Sequence, residues 1–70
     1  MYQFKKEHLK EVKSEHKLIY LAKKIGITRV YLSYILNNKM NCSKAVAYTI
    51  TKRIDETKEI DYYFKKLSWQ

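Results

Sequence analysis

The side chains best able to contact another molecule lie between Arg29 and Asn37. At helical spacing, Val30, Ser33, Tyr34 and Asn37 fall on one side of this segment, and Arg29 stands at its start. A helix surface that only meets water does not need a β-branched apolar residue beside an aromatic ring with a polar tip. The mixture of guanidinium, hydroxyl and amide groups with apolar ones therefore predicts a recognition surface.

The sequence carries none of the patterns that enzymes and metal sites need. It has no paired carboxylates suited to catalysis, no Cys/His pair at useful spacing and no glycine-rich phosphate loop. Cys42 is the only cysteine, which excludes an internal disulfide and a cysteine-based zinc site. We interpret His8 and His16 as packing or surface residues, because no carboxylate or thiol cluster accompanies them. We therefore expect a protein that is not an enzyme and that holds no metal, cofactor or small-molecule ligand.

Two short helices must position the recognition surface, and Gly26 marks the junction between them. Before Gly26, four apolar residues share one helical face: Leu18, Leu21, Ala22 and Ile25. Gly26 is the only glycine, and it stands where a helix ends in a left-handed backbone, with Ile27 following as an apolar plug. Thr28 can cap the second helix. The apolar residues on the inner side of that helix are Leu32, Ile35 and Leu36. Residues 18–37 thus describe a helix-turn-helix unit, whose second helix lies in the DNA major groove.

The net charge of +8 is concentrated in the middle of the chain. No acidic residue occurs from His16 to Ile54, whereas this stretch contains eight lysines and arginines. The other seven lysines are balanced by seven carboxylates outside it. Because Lys and Arg near phosphates release condensed counterions, the pattern favours a polyanionic partner such as nucleic acid. A basic surface that serves only solubility is the alternative.

The rest of the chain predicts three further helices within a single domain spanning residues 1–70. They cover about Phe4–Lys13, Lys44–Asp55 and Lys58–Leu67. The absence of proline and the single glycine favour an all-α fold of five helices, although the sequence does not exclude a strand at Tyr2–Phe4. Residues 37–43 are predicted to form a loop in which Asn38 can adopt a left-handed backbone.

The N-terminus of the Lys44–Asp55 helix is a candidate phosphate site. Ser43 is a good cap for this helix, and Lys39 and Lys44 lie beside it in sequence. Free N–H groups at a helix N-terminus can hold a phosphate. The alternative is that Ser43 only caps the helix, and the two roles are compatible.

Two aromatic residues near the C-terminal end, Tyr62 and Trp69, fall outside the apolar stripe of the last predicted helix. That stripe consists of Ile60, Tyr63, Phe64 and Leu67. A short chain seldom leaves a tryptophan in water without use, so we predict a symmetric dimer contact at Tyr62 and Trp69. A Trp69 ring that folds back on its own helix is the alternative.

With these elements placed, the chain resembles the lambda-repressor-like family of helix-turn-helix domains, the Cro and Xre group of phage and bacterial regulators. The resemblance covers about residues 4–67, and its most specific part is the run LAKKIGITRVYLSYILNN. In this run Ala22, Gly26, Leu32 and Ile35 have the spacing of the family. The resemblance implies a compact five-helix domain that binds double-stranded DNA at a pseudo-palindromic operator as a homodimer.

The family's DNA contacts can be carried over to matching positions of this chain. The resemblance implies base contacts by Arg29, Val30, Ser33 and Tyr34. It implies phosphate contacts by Lys17, Asn37, Lys39, Ser43 and Lys44. Arg29 is expected to read guanine, because its fork spans two acceptors on that base. Leu18 departs from the pattern, since many relatives carry a glutamine there that touches DNA.

We therefore expect a sequence-specific DNA-binding transcriptional regulator of the Cro or repressor type, located in the cytoplasm. No apolar run approaches the ~20 residues needed to cross a bilayer, and the N-terminus lacks the apolar middle of a signal peptide. Usage rich in Lys, Ile, Tyr and Asn suggests a phage or mobile-element origin. The alternative function is a small module that binds and regulates another protein through Val30, Tyr34, Tyr48 and Trp69.

Overall fold

Five α-helices and one two-stranded sheet make up residues 1–67, which are the residues that the computed structural model describes. The strands are β1 (Tyr2–Phe4) and β2 (Phe64–Lys66). The helices are α1 (Leu9–Glu15), α2 (Leu18–Ile25), α3 (Arg29–Leu36), α4 (Lys44–Ile54) and α5 (Ile60–Tyr63), and a short 3-10 helix, Lys6–His8, precedes α1. The fold is therefore mostly helical, with the sheet joining the two ends of the described chain.

The prediction of a strictly all-α fold is wrong, because both terminal segments contain a strand. The first helix begins at Leu9 and not at about Phe4, and the last ends at Tyr63 and not at about Leu67. In their place β1 and β2 pair antiparallel, with Phe4 opposite Phe64. The possibility of a strand at Tyr2–Phe4 is confirmed. Its partner lies some sixty positions away in sequence, so local periodicity could not show the pairing.

The aromatic rings of the sheet complete the hydrophobic core. The Phe4 and Phe64 rings meet edge to face with centroids 5.4 Å apart, and Tyr63 stacks against Phe4 at 6.3 Å. All three side chains are buried. The other buried apolar residues come from the helices and the loop before α4: Val12, Leu21, Ala22, Leu32, Ile35, Leu36, Cys42, Ala47, Ile50 and Ile54. The sheet thus supplies core volume that five helices alone were expected to supply.

The predicted inner faces of the three central helices are confirmed. In α2, Leu21 and Ala22 are buried, and Leu18 and Ile25 pack against the core. In α3 the buried residues are the predicted Leu32, Ile35 and Leu36. In α4 helical spacing predicts Val46, Ala47, Ile50 and Ile54 on the inner face; the last three are buried, Val46 packs against the core while partly exposed, and Thr51 is a further buried residue. The Thr51 side chain is tolerated in the core because its Oγ1 donates to the Ala47 carbonyl oxygen at 2.9 Å.

Over residues 1–67, no helix has both the length and the apolar character to cross a membrane.

Candidate nucleic-acid interface

The turn between α2 and α3 has the geometry that the sequence predicts. Gly26 adopts a left-handed backbone with φ of 92°. The Gly26 and Ile27 amides both donate to the Ala22 carbonyl oxygen, at 2.8 and 3.1 Å. Thr28 Oγ1 then accepts from the Tyr31 amide at 3.1 Å and caps α3. The direction in which α3 leaves α2 is therefore fixed by hydrogen bonds at both sides of the turn.

The outer side of α3 presents a mixed apolar and polar surface. Its inner residues Leu32, Ile35 and Leu36 are 0% exposed. On the opposite side, Val30 is 54% and Tyr34 48% exposed. Arg29, the first residue of α3, is also exposed. Three of the four residues expected to contact bases are therefore free to meet a partner.

Ser33, the fourth of these residues, is half-buried and engaged with Asn37. The Asn37 amide nitrogen donates to the Ser33 carbonyl oxygen at 2.9 Å and to Ser33 Oγ at 3.3 Å. This contact closes the C-terminal turn of α3. The phosphate contact of Asn37 stays a prediction, and it would have to use this same amide nitrogen, since a phosphate oxygen needs a donor.

The start of α4 has the features expected of a phosphate site. Ser43 Oγ accepts from the Val46 amide at 3.3 Å, so Ser43 is the predicted cap. The amides of Lys44 and Ala45, in the first turn, have no intrahelical acceptor available to them. The side chains of Ser43, Lys44 and Lys39 are exposed. An anion here would meet free N–H groups, the positive end of the helix dipole and the flexible side chain of Lys44, while a contact from Lys39 stays a prediction.

Lys17 stands at the N-cap position of α2 and is exposed. Its side chain makes no cap hydrogen bond, whereas its carbonyl oxygen accepts from the Tyr20 and Leu21 amides. The side chain is thus exposed, and its phosphate contact stays a prediction.

Seven of the eight cations in the acid-free segment 16–54 are exposed on the surface: Lys17, Lys23, Lys24, Arg29, Lys39, Lys44 and Arg53. Within residues 1–67, none of these seven forms an ion pair with a carboxylate. The exception is Lys52, which lies 3.7 Å from Glu59 and donates to the Lys58 carbonyl oxygen at 2.7 Å. Lys52 therefore ties α4 to the segment that follows it, and its charge is partly compensated there.

Of the two predicted dimer contacts, Tyr62 and Trp69, only Tyr62 lies within residues 1–67. The Tyr62 ring is 39% exposed and packs on its own molecule, with His8 at 4.5 Å and the Lys58 ammonium over it at 4.4 Å. Trp69 lies outside the described residues. His8 also contacts Glu11 through its Nδ1 at 3.0 Å, so His8 is a packing residue in this structure.

Two exposed apolar residues of α2 were missed by the sequence interpretation. Ile19 is 48% and Tyr20 58% exposed. Both are displaced around the helix from the Leu21 and Ala22 stripe, so the helical periodicity could have shown them. Ile19 and Tyr20 therefore join Val30, Tyr34 and Tyr48 among the exposed large hydrophobic residues of the described chain.

The surroundings of Cys42 and Asp55 shift the pKa values of both side chains. Cys42 is buried, and burial raises the pKa of its thiol to about 11, so the thiolate is scarce at neutral pH. The Thr57 hydroxyl and amide both donate to Asp55 Oδ1, which lowers the pKa of this carboxyl and stabilises the turn after α4. Residues 1–67 contain no cluster of three His, Cys, Asp or Glu side chains that could hold a metal ion.

No protein-family model matches the chain, and neither a curated protein nor a solved structure is significantly similar to it.

Proposed function

We propose that this protein is a sequence-specific double-stranded DNA-binding transcriptional regulator of the lambda-repressor-like helix-turn-helix type. It acts in the cytoplasm as a Cro-like or repressor-like homodimer on an operator. In this proposal α3 enters the major groove, and Arg29, Val30, Ser33 and Tyr34 meet base edges.

The single observation that carries the proposal is the division of α3 between two environments. Its inner side is fully buried, which holds the helix rigidly on the core. Its outer side leaves Val30 and Tyr34 about half exposed, with Arg29 exposed at the first turn. A rigid helix with hydrogen-bonding and apolar side chains on its free side suits direct readout of bases and thymine methyl groups.

The charges support a nucleic acid as the partner. Seven exposed cations between Lys17 and Arg53 lack carboxylate partners in the part of the chain that the structure describes. Lys44 lies at the capped N-terminus of α4, where backbone amides and a side-chain cation can share one phosphate. Such contacts provide affinity without sequence preference, while α3 provides the preference.

Selection of bound sequences from a random duplex library tests the proposal. We expect a two-fold symmetric site with half-site centres about one helical turn apart, because a homodimer presents two equivalent α3 helices. Affinity for that site should fall with rising salt at a slope of about −0.9 per phosphate neutralised. Recovery of no enriched sequence, together with a flat salt response, would contradict the proposal.

A second candidate is a module that binds another protein and inhibits or regulates it. The specific observation in its favour is the exposure of Tyr20, Val30, Tyr34 and Tyr48, at 48–58% each. Exposed aromatic and apolar side chains are common at the centres of protein interfaces. Tight binding that depends on Tyr20 and Tyr48 but little on salt would favour this candidate over DNA.

A further inference from the structure

A notch of about 330 Å³ lies beside the two-stranded sheet, and none of its lining residues belongs to α3, on which the proposed function depends. Its lining includes Gln3 of β1, Lys65 of β2, Lys5 and Lys6 after β1, and Asn38 from the loop after α3. The volume is at the lower end of the range for small-molecule sites. Nothing in the argument for DNA binding uses these residues.

The sheet register brings two of the lining side chains together. Gln3 and Lys65 are directly paired across the antiparallel strands. Because side chains alternate along a strand, both project to the face opposite the buried Phe4 and Phe64 rings. An amide and an ammonium group therefore stand side by side at the edge of the notch.

The positive charge at the notch is not balanced by carboxylates. Within residues 1–67, Lys6 and Lys65 form no ion pair, and both are exposed. Lys5 is held in place because its Nζ donates to the Asp61 carbonyl oxygen at 2.6 Å. Glu7, the one acidic residue of the lining, has its carboxylate 3.9 Å from His8 Nε2. The notch therefore carries a local excess of positive charge.

Asn38 also lines the notch and carries an amide beside the lysines. Its Oδ1 atom is buried and has no hydrogen-bond partner among the described residues. Because Oδ1 is shielded from solvent and can only accept hydrogen bonds, the group of Asn38 that can donate to an oxyanion in the notch is its amide NH2.

We propose that this notch is a binding site for a phosphate group, held by Lys6, Lys65, Gln3 and the Asn38 amide. The group belongs either to a small phosphorylated molecule or to the backbone of bound DNA. Ammonium and amide N–H donors are the groups that recognise phosphate oxygens. The proposal concerns residues outside α3, so binding of free phosphate to them can be tested independently of base recognition by α3.

The first arm of the test contains no DNA. Backbone amide resonances of the full chain are followed by NMR while phosphate replaces chloride at constant ionic strength. We expect saturable shifts at residues around the notch, distinct from shifts at the candidate phosphate site at the start of α4. Lys65→Gln should weaken this binding about tenfold, the size of one lost charge-assisted contact. Lys10→Gln, a change at an exposed lysine of α1, should leave it unchanged.

Asn38 offers a sharper variant because its backbone is left-handed, with φ of 61°. Asn38→Asp keeps a residue that accepts this backbone and replaces the amide by a carboxylate, so phosphate binding should be lost. Asn38→Gly keeps the backbone and removes only the amide, and it should weaken binding several-fold. Equal phosphate affinity of Asn38→Asp and the parent chain would overturn the proposal.

The second arm distinguishes the two sources of phosphate. Binding of the parent chain and of Lys65→Gln to a duplex is measured as salt is varied. A salt slope smaller by about one in Lys65→Gln assigns the notch to a DNA phosphate. An unchanged slope with localised binding of free phosphate assigns it to a small ligand. An unchanged slope without such binding overturns the proposal.

Discussion

The Ile27 amide donates to the Ala22 carbonyl oxygen at 3.1 Å, and the left-handed Gly26 directly before Ile27 turns the chain so that this bond can form. A hydrogen bond from an amide to the carbonyl oxygen five positions earlier is the signature of a Schellman motif at a helix end. It leaves Ile27 packed against the core and sets Thr28 in place to cap α3. The orientation of the outer side of α3 thus depends on the backbone of one residue.

Gly26→Val should destabilise the protein by about 1–2 kcal/mol or slightly more, because a β-branched residue resists a positive φ. A Cβ at Gly26 would find nothing within 4 Å, so the loss comes from backbone strain and not from a clash. Urea unfolding measures the free energy. Gly26→Asn is the matched control, since asparagine tolerates the left-handed region. Equal losses in the two variants would show that the backbone is not the cause.

Phe4→Ala should cost about 3–5 kcal/mol, as expected for removal of a fully packed aromatic ring. The ring is 1% exposed and lies against Phe64 and Tyr63. Gln3→Ala, on the outward side of the same strand, should change stability by less than about 0.5 kcal/mol. Thermal or urea unfolding of both variants checks the difference. A small loss for Phe4→Ala would mean that the sheet is not part of the stable core.

The sequence predicts the three central helices well and the two ends poorly, for a physical reason. Helical stripes and the Thr28 and Ser43 caps depend on residues three or four positions apart, so they can be read locally. The β1–β2 pairing joins the two ends of the described chain and depends on the burial of Phe4 against Phe64. The apolar residues at the two ends also have helical spacing, but tertiary packing overrides that local pattern and places them in strands.

The candidate interface also combines features that can be read from local sequence with features that cannot. The exposure of Arg29, Val30 and Tyr34 follows from helical periodicity and is confirmed. The Asn37 contact to Ser33 depends on a side-chain rotamer, and the Lys52 contact to Glu59 requires the chain after α4 to turn back. Neither can be read from residue types alone.

Stability should decrease as the pH rises above about 9, with Cys42 as one cause. Burial raises the pKa of the folded thiol from 9.0 to about 11. Between these values the folded state keeps a proton that the unfolded state has lost, so the free energy of unfolding falls. The expected loss attributable to Cys42 is on the order of 1–2 kcal/mol across this window.

Cys42→Ala should make the stability less dependent on pH between 8 and 10, even though the variant is less stable overall. Urea unfolding at several pH values gives the slopes to compare. Tyr63, whose pKa burial raises to about 12 from 10.0, adds its own loss mainly above pH 10. Identical slopes in the parent chain and in Cys42→Ala would exclude the thiol as a cause.

Arg29 and Lys44 should affect DNA binding in different ways if the proposed function is correct. Arg29 begins the exposed side of α3, whereas Lys44 lies at the capped start of α4. Arg29→Ala should cost about 1–3 kcal/mol on the selected site and relax its base preference. Lys44→Ala should weaken binding to selected and random duplexes alike and reduce the salt slope by about one.

Titration of both duplexes at several salt concentrations separates these effects. Lys10→Gln, on α1 and outside the acid-free segment, is the control for a general loss of positive charge. If Arg29→Ala weakens random and selected DNA equally, Arg29 contacts only the phosphate backbone, and base recognition must then come from Val30, Ser33 and Tyr34. Because α3 is held by its buried inner side, none of these changes should alter the unfolding free energy by more than about 0.5 kcal/mol.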